Sequence, residues 1–66
     1  MSIGKVTEIT STSGKSFEDA IQLGIARANQ TLRNVKSAWV KEQTVRVTNG
    51  KIHEYQVNLL VTFVLE

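Results

Sequence analysis

Apolar residues recur along this 66-residue chain with two different periods, and the changes of period divide it into three segments. From Lys5 to about Ser11 the run KVTEITS is rich in Val, Ile and Thr, the residues that suit a pleated backbone, and predicts a short strand. After the turn-prone TSTSGKS, Phe17, Ala20, Ile21, Gly24, Ile25, Ala28 and Leu32 fall at spacings of three and four, which places them on one face of a helix. Ser16 precedes that face and is suited to accept a hydrogen bond from the free amides of the first turn. Glu18 and Asp19 lie near the positive end of the helix dipole and Arg33 near the negative end, so the helix is predicted from about 17 to about 33. Gly24 weakens an exposed helix by about 1 kcal/mol relative to Ala, so its place on the apolar face predicts a close approach of the sheet.

The remainder, from about Ala38 to Leu65, predicts two long strands joined at Thr48-Asn49-Gly50-Lys51. Asn-Gly is the strongest short hairpin signal, because a type I′ turn needs positive φ at both central residues. A two-residue loop there sets Thr48 opposite Lys51, Gln43 opposite Gln56, Val40 opposite Leu59, Trp39 opposite Leu60 and Ser37 opposite Thr62. One face of the hairpin then carries Tyr55, Val57, Leu59, Val61, Phe63 and Leu65 with Ala38 and Val40, apolar enough to cover the helix. The other carries Trp39, Leu60, Lys41, Asn58, Gln43, Gln56, Val45, Val47 and Ile52, a mixed set for which the chain has no second helix. Trp39 beside Leu60 is thus expected as an exposed apolar patch, the kind of surface that marks a partner or ligand.

Composition sharpens that expectation. Sixty-six residues form one domain, taken as 1–66, and a core of this size supplies only about 3–5 kcal/mol alone. The chain has no cysteine and one histidine, so neither disulfides nor a Cys/His zinc site supplement the core, and oligomerisation is the remaining common means. A hydrophobic share of 41% with 21% charged residues suits a folded domain and not a disordered tail. The net charge of +2 comes from basic residues scattered along the chain, which argues against a nucleic-acid partner. The N-terminus lacks the pattern of a signal peptide and no apolar run approaches a membrane span, so a cytoplasmic location without membrane association is expected.

Several stretches together resemble the dodecin family: Thr12-Ser13, AIxxGIARAxxTLR from Ala20 to Arg33, VKE at 40 to 42, and EYQVxLxVxFxLE from Glu54 onward. They cover nearly the whole chain without a gap. The resemblance implies an α+β fold, a β-α-β-β subunit whose three-stranded antiparallel sheet wraps around one helix, twelve copies forming a hollow homododecamer. It also implies a binding or storage protein for flavin (riboflavin, FMN or FAD) and not an enzyme. In flavin-binding members, rings stack between tryptophans of symmetry-related subunits and a glutamine of the last strand bonds the ring edge.

Carried over residue by residue, the glutamine is Gln56, after Tyr55. The stacking tryptophan falls at Ser37 and the middle-strand arginine at Thr44, whereas this chain has Trp39 and Arg46, each two residues later. Trp39 faces as a tryptophan at 37 would but is displaced by about 6.6 Å, at ~3.3 Å per residue. Offset stacking needs ring centroids within about 4.5–7 Å, so a flavin on Trp39 cannot keep the same pose. The candidate ligand residues are therefore Gln56, Trp39, Ser37, Arg46 and Thr44. Trp39 can equally be read as an anchor between subunits. The alternative function is a dodecin-like cage without flavin, structural or calcium-binding; Glu8, Glu42 and Glu54 come from different strands and would offer hard oxygen ligands only where copies bring them together at a symmetry axis. Ser37 and His53 have no supporting context as a catalytic pair, and no metal site is assigned to particular residues.

Overall fold

The computed structural model describes residues 3–65. Strand β1 (Ile3–Ser13) leads to helix α1 (Phe17–Thr31), followed by the hairpin of β2 (Val35–Thr48) and β3 (Lys51–Leu65). All pairings are antiparallel and the order across the sheet is β1-β3-β2, so the last strand is central. This is the β-α-β-β arrangement expected from the sequence, with the first strand two residues longer at each end and β2 starting three residues earlier.

Ser16 starts the helix as predicted, its hydroxyl accepting from the Asp19 amide at 3.0 Å. The entry is further tied by Ser13, a buried polar residue, whose hydroxyl donates to the Asp19 carboxylate at 2.6 Å and accepts from the Lys15 amide at 2.9 Å. Phe17 meets Tyr55 of β3 edge-to-face with ring centroids 5.1 Å apart, fixing the first turn against the sheet. The helix ends earlier than predicted, at Thr31, and leaves Arg33 outside its last turn. Leu32 turns to extended backbone and Asn34 takes φ of 58°, a left-handed conformation that asparagine tolerates. The carbonyl of Asn34 then accepts from the Val64 amide at 3.1 Å, so the exchange of a helical turn for a sheet contact costs no backbone hydrogen bond there.

The core lies between α1 and the sheet face that carries Val57, Leu59 and Val61, all fully buried, with Ala20 and Ala28 of the helix against them. At Gly24 the two layers come close together. A Cβ there would lie 3.0 Å from the Ser11 Cβ and 3.2 Å from the Leu59 Cδ1. Gly24→Val leaves helix propensity nearly unchanged, by roughly 0.5 kcal/mol or less. Its expected loss of about 1–3 kcal/mol is thus an overpacking cost, read as a lowered urea midpoint. An unchanged midpoint would show that the helix can lift off β1 freely.

The turn is the predicted type I′ form, with φ of 53° at Asn49 and 75° at Gly50. The register departs from the two-residue-loop expectation between two bulges. His53 is an extra residue on β3, so Arg46 faces Glu54 instead of His53, and Thr44, not Gln43, faces Gln56. Lys41 is an extra residue on β2, which restores the expected pairs Val40–Leu59, Trp39–Leu60 and Ser37–Thr62. A third bulge at Lys36 sets Val35 opposite Phe63. Between the first two bulges every β2 side chain changes sides, because strand alternation has period two. Gln43 and Val45, expected on the open face, instead lie opposite Val57 and Tyr55 on the helix side.

Candidate functional site

Among the described residues no element covers the sheet face turned away from α1, and its rows follow from the register. The first is Val6, Thr62 and Ser37; the second Glu8, Leu60 and Trp39; the third Thr10, Asn58 and Glu42; the fourth Thr12, Gln56 and Thr44. Arg46 and Glu54 complete it beyond the end of β1. All five candidate residues therefore stand on this one face. Thr44 and Arg46 do so only because of the bulges, since uninterrupted alternation from the turn would have sent both toward the helix.

Trp39 is 65% exposed, with Leu60 directly across from it and exposed Val6 one row away. An indole this open is the largest unburied aromatic surface among the described residues. Polar groups flank it in both directions. Ser37 and Thr62 present hydroxyls on one side; on the other, the Thr10 hydroxyl donates to the Asn58 carboxamide oxygen at 3.3 Å, followed by Gln56 between Thr12 and Thr44. Trp39 and Gln56 belong to rows four β3 residues apart, about 13 Å at ~3.3 Å per residue.

Two ion pairs cross the face. Arg46 meets Glu54 at 3.2 Å, and Lys41 reaches over β3 to Glu8 at 3.7 Å. The Lys41 and Glu8 side chains are 44% and 45% exposed, so this pair adds little to stability. His53, expected opposite Arg46, is instead the exposed bulge residue near the hairpin tip. Of the acidic residues considered for a hard cation, Glu8 and Glu54 are thus engaged with cations, and Glu42 is exposed opposite Asn58. Among the described residues no group of three His, Cys, Asp or Glu side chains is placed to hold a metal ion within one subunit.

Sequence reasoning did not find a cleft of about 380 Å³ on the other side of the sheet between β1 and α1, lined by Ile9, Leu23, Gly24, Arg27, Ala28 and Leu32 among others. The small residues Gly24 and Ala28, which let the helix approach, also leave it shallow and mostly apolar, and none of the candidate ligand residues lines it. A sequence signal for it is Leu23, an apolar residue one position off the predicted apolar face, which the structure leaves 52% exposed. No helix among the described residues is long and apolar enough to cross a membrane.

Comparison with known proteins agrees with this architecture. The 42% identical dodecin of Thermus thermophilus aligns over 64 residues, covering 94% of this chain and 90% of the relative. A solved variant of the Thermus dodecin superposes with a TM-score of 0.94 at 39% identity, covering 100% of this chain and 98% of the other. The dodecin of Streptomyces davaonensis gives 0.93 at 37% identity, with coverages of 98% and 96%. A calcium dodecin from Mycobacterium tuberculosis, described as calcium-chelating with a novel calcium-binding site, gives 0.83 at 34% identity, with coverages of 97% and 91%. The family model described as Dodecin matches residues 3–66, and with that extent of match, that identity and the shared β-α-β-β topology, the chain belongs to the dodecin family.

Proposed function

We propose that this protein is a non-enzymatic, homododecameric flavin-binding and storage protein whose ring-stacking residue is Trp39. The observation that carries the proposal is the open indole, 65% exposed on a face that no other described element covers. An aromatic plane left in water gains most by stacking on another, and a flavin ring is a large plane with hydrogen-bonding groups along one edge. The residues present fit such a group. Trp39 and Leu60 offer apolar contact, and Gln56, Asn58, Thr44 and Thr12 offer carboxamides and hydroxyls farther along the face. When bound, the flavin would bring its own redox and photochemistry, and the chain's part is to bury the ring and hold its edge.

The same exposure favours assembly. A ligand on this face is sandwiched only when another copy supplies the opposite wall, which also removes Leu60 and Val6 from water. Ser37, where the family resemblance places the tryptophan, leaves a small hydroxyl beside the indole, so the ring lies nearer Leu60 and farther from Thr62. Titrating the protein into riboflavin or FMN tests the proposal. Flavin and tryptophan fluorescence should quench together, saturating at micromolar or lower protein. No quenching at tens of micromolar would remove flavin as the ligand and leave the structural or calcium-binding cage, in line with what the Mycobacterium tuberculosis relative is described as binding.

A further inference from the structure

Beyond Tyr55 the hairpin leaves the rest of the subunit. The pairing of β1 with β3 ends at Ser13 and Tyr55, and α1 begins at Phe17 against that same tyrosine, so residues 46–54 form an arm of two strands alone. Every residue from Arg46 to His53 is exposed, the apolar Val47 and Ile52 among them. The extra residue His53 interrupts the ladder, and among the described residues one ion pair, Arg46 to Glu54 at 3.2 Å, ties the side chains of the arm together. A ribbon of two strands with no third strand or helix behind it is marginally stable and opens from its tip.

At that tip stands the pair Asn49-Gly50. Thr48 and Lys51 close the type I′ turn between them, so the Gly50 amide has no place in the ladder. Among the described residues neither that amide nor the Asn49 carboxamide makes a hydrogen bond. Gly50 has no side chain to shield its nitrogen, and nothing lies within 4 Å of where a Cβ would be. The other three asparagines are held differently. Asn29 is inside α1, and Asn58 lies in the central strand, accepts from the Thr10 hydroxyl and precedes the fully buried Leu59. Asn34 precedes the β-branched Val35, and its carbonyl is fixed by the Val64 amide.

We propose that Asn49 is a site of slow covalent modification, at which the Gly50 backbone nitrogen displaces the amide of the Asn49 side chain. The nitrogen gives up its proton and bonds to Asn49 Cγ, the Cγ–Nδ2 bond breaks, and the amide leaves as ammonia, closing a succinimide ring. Water then opens the ring at either carbonyl, leaving an aspartate or an isoaspartyl linkage. One water is consumed, one ammonia is released, and nothing is oxidised or reduced. Closing the ring requires Asn49 to leave its left-handed conformation, so the rate follows the opening of the arm. Either product adds a carboxylate and lowers the net charge of +2 by one. Aspartate keeps the turn, because Asp-Gly suits the type I′ form as Asn-Gly does, whereas the isoaspartyl product adds a methylene to the main chain of a two-residue loop and disrupts it.

The test incubates the intact protein at mildly alkaline pH for several weeks beside a sample kept in urea, then digests both with trypsin. Cleavage after lysine and arginine puts each asparagine in its own peptide, 28–33, 34–36, 47–51 and 52–66. In the native sample peptide 47–51 is expected to gain about one dalton, the difference between an amide and an acid, and to split into two chromatographic species while the other three stay unchanged. Its rate should fall within roughly tenfold of the rate in urea, as for a segment that opens at little cost. Asn49→Gln, whose longer side chain must close a larger ring, should leave the peptide unaltered over the same period. An unmodified 47–51 in the native sample, with conversion in urea, would overturn the inference. So would conversion of 34–36 or 52–66 in the native sample as fast as that of 47–51.

Discussion

Trp39→Ala is expected to abolish flavin quenching and to weaken flavin binding by about 10- to 100-fold while leaving the particle assembled. The magnitude follows from removing a large, centrally placed aromatic contact, which at well-packed sites costs about 2 kcal/mol or more. Preservation of the subunit fold follows from where the residue sits. With the indole 65% exposed in the subunit, the core between α1 and the opposite face of the sheet does not depend on it. The same titration with Trp39→Phe should retain most of the affinity, because a smaller plane still stacks. Returning the indole to the position implied by the family, with Trp39→Ala and Ser37→Trp together, should recover binding, since positions 37 and 39 share a face and occupy successive rows. If Trp39→Ala instead dissociates the particle, the residue is an anchor between subunits and the stacking role fails.

A second large effect is expected one residue away from the Trp39 row, on the other side of the sheet. Leu59 is fully buried, opposite Ile9 and Val40, and its Cδ1 lies 3.2 Å from where a Gly24 Cβ would be. Leu59→Ala removes buried methyl groups beside the tight approach at Gly24, where a helix already near the sheet has little room to collapse. Such truncations cost about 2–5 kcal/mol, comparable to the whole stability of a subunit this small. Thermal unfolding followed by circular dichroism should drop by more than ~10 °C, or the chain should fail to fold. Leu60→Ala, on the open face, should shift the transition by only a few degrees and instead weaken flavin binding. Equal melting effects for the two variants would contradict the assignment of faces.

That these neighbouring leucines serve opposite purposes was legible in the sequence, because β3 alternates cleanly from Tyr55 to Leu65 and carries no bulge in that stretch. The helix face, its Ser16 cap and the Asn49-Gly50 turn were legible for the same reason: each rests on a local rule that no distant contact overrides. The middle strand was not. Its pairing depends on two single-residue insertions, His53 on one strand and Lys41 on the other, that cancel. Counting from the turn therefore gives correct partners next to the turn and again from Val40 to Ser37, errs by one between those stretches, and errs once more at Val35 beyond the bulge at Lys36. Nothing local distinguishes a bulged residue from a paired one; Val45 reaches the Tyr55 row through the extra residue His53, and the extra Lys41 then returns Val40 to Leu59. For the candidate site, Trp39 and Gln56 were correctly placed on the open face, whereas the alignment of Thr44 and Arg46 with them emerged only from that corrected register. The early end of α1 was hidden for a similar reason, since the left-handed Asn34 is secured by a hydrogen bond to Val64, thirty residues away in sequence.

Native mass spectrometry of the protein incubated with FMN tests most directly whether the bare face of the sheet is closed by other copies around a flavin, since it weighs the particle and counts its ligands at once. The expected spectrum is a twelve-subunit particle carrying several flavins, with mass lost in whole flavin units on activation. A ligand-free species at the 7.3 kDa of a single chain would contradict it.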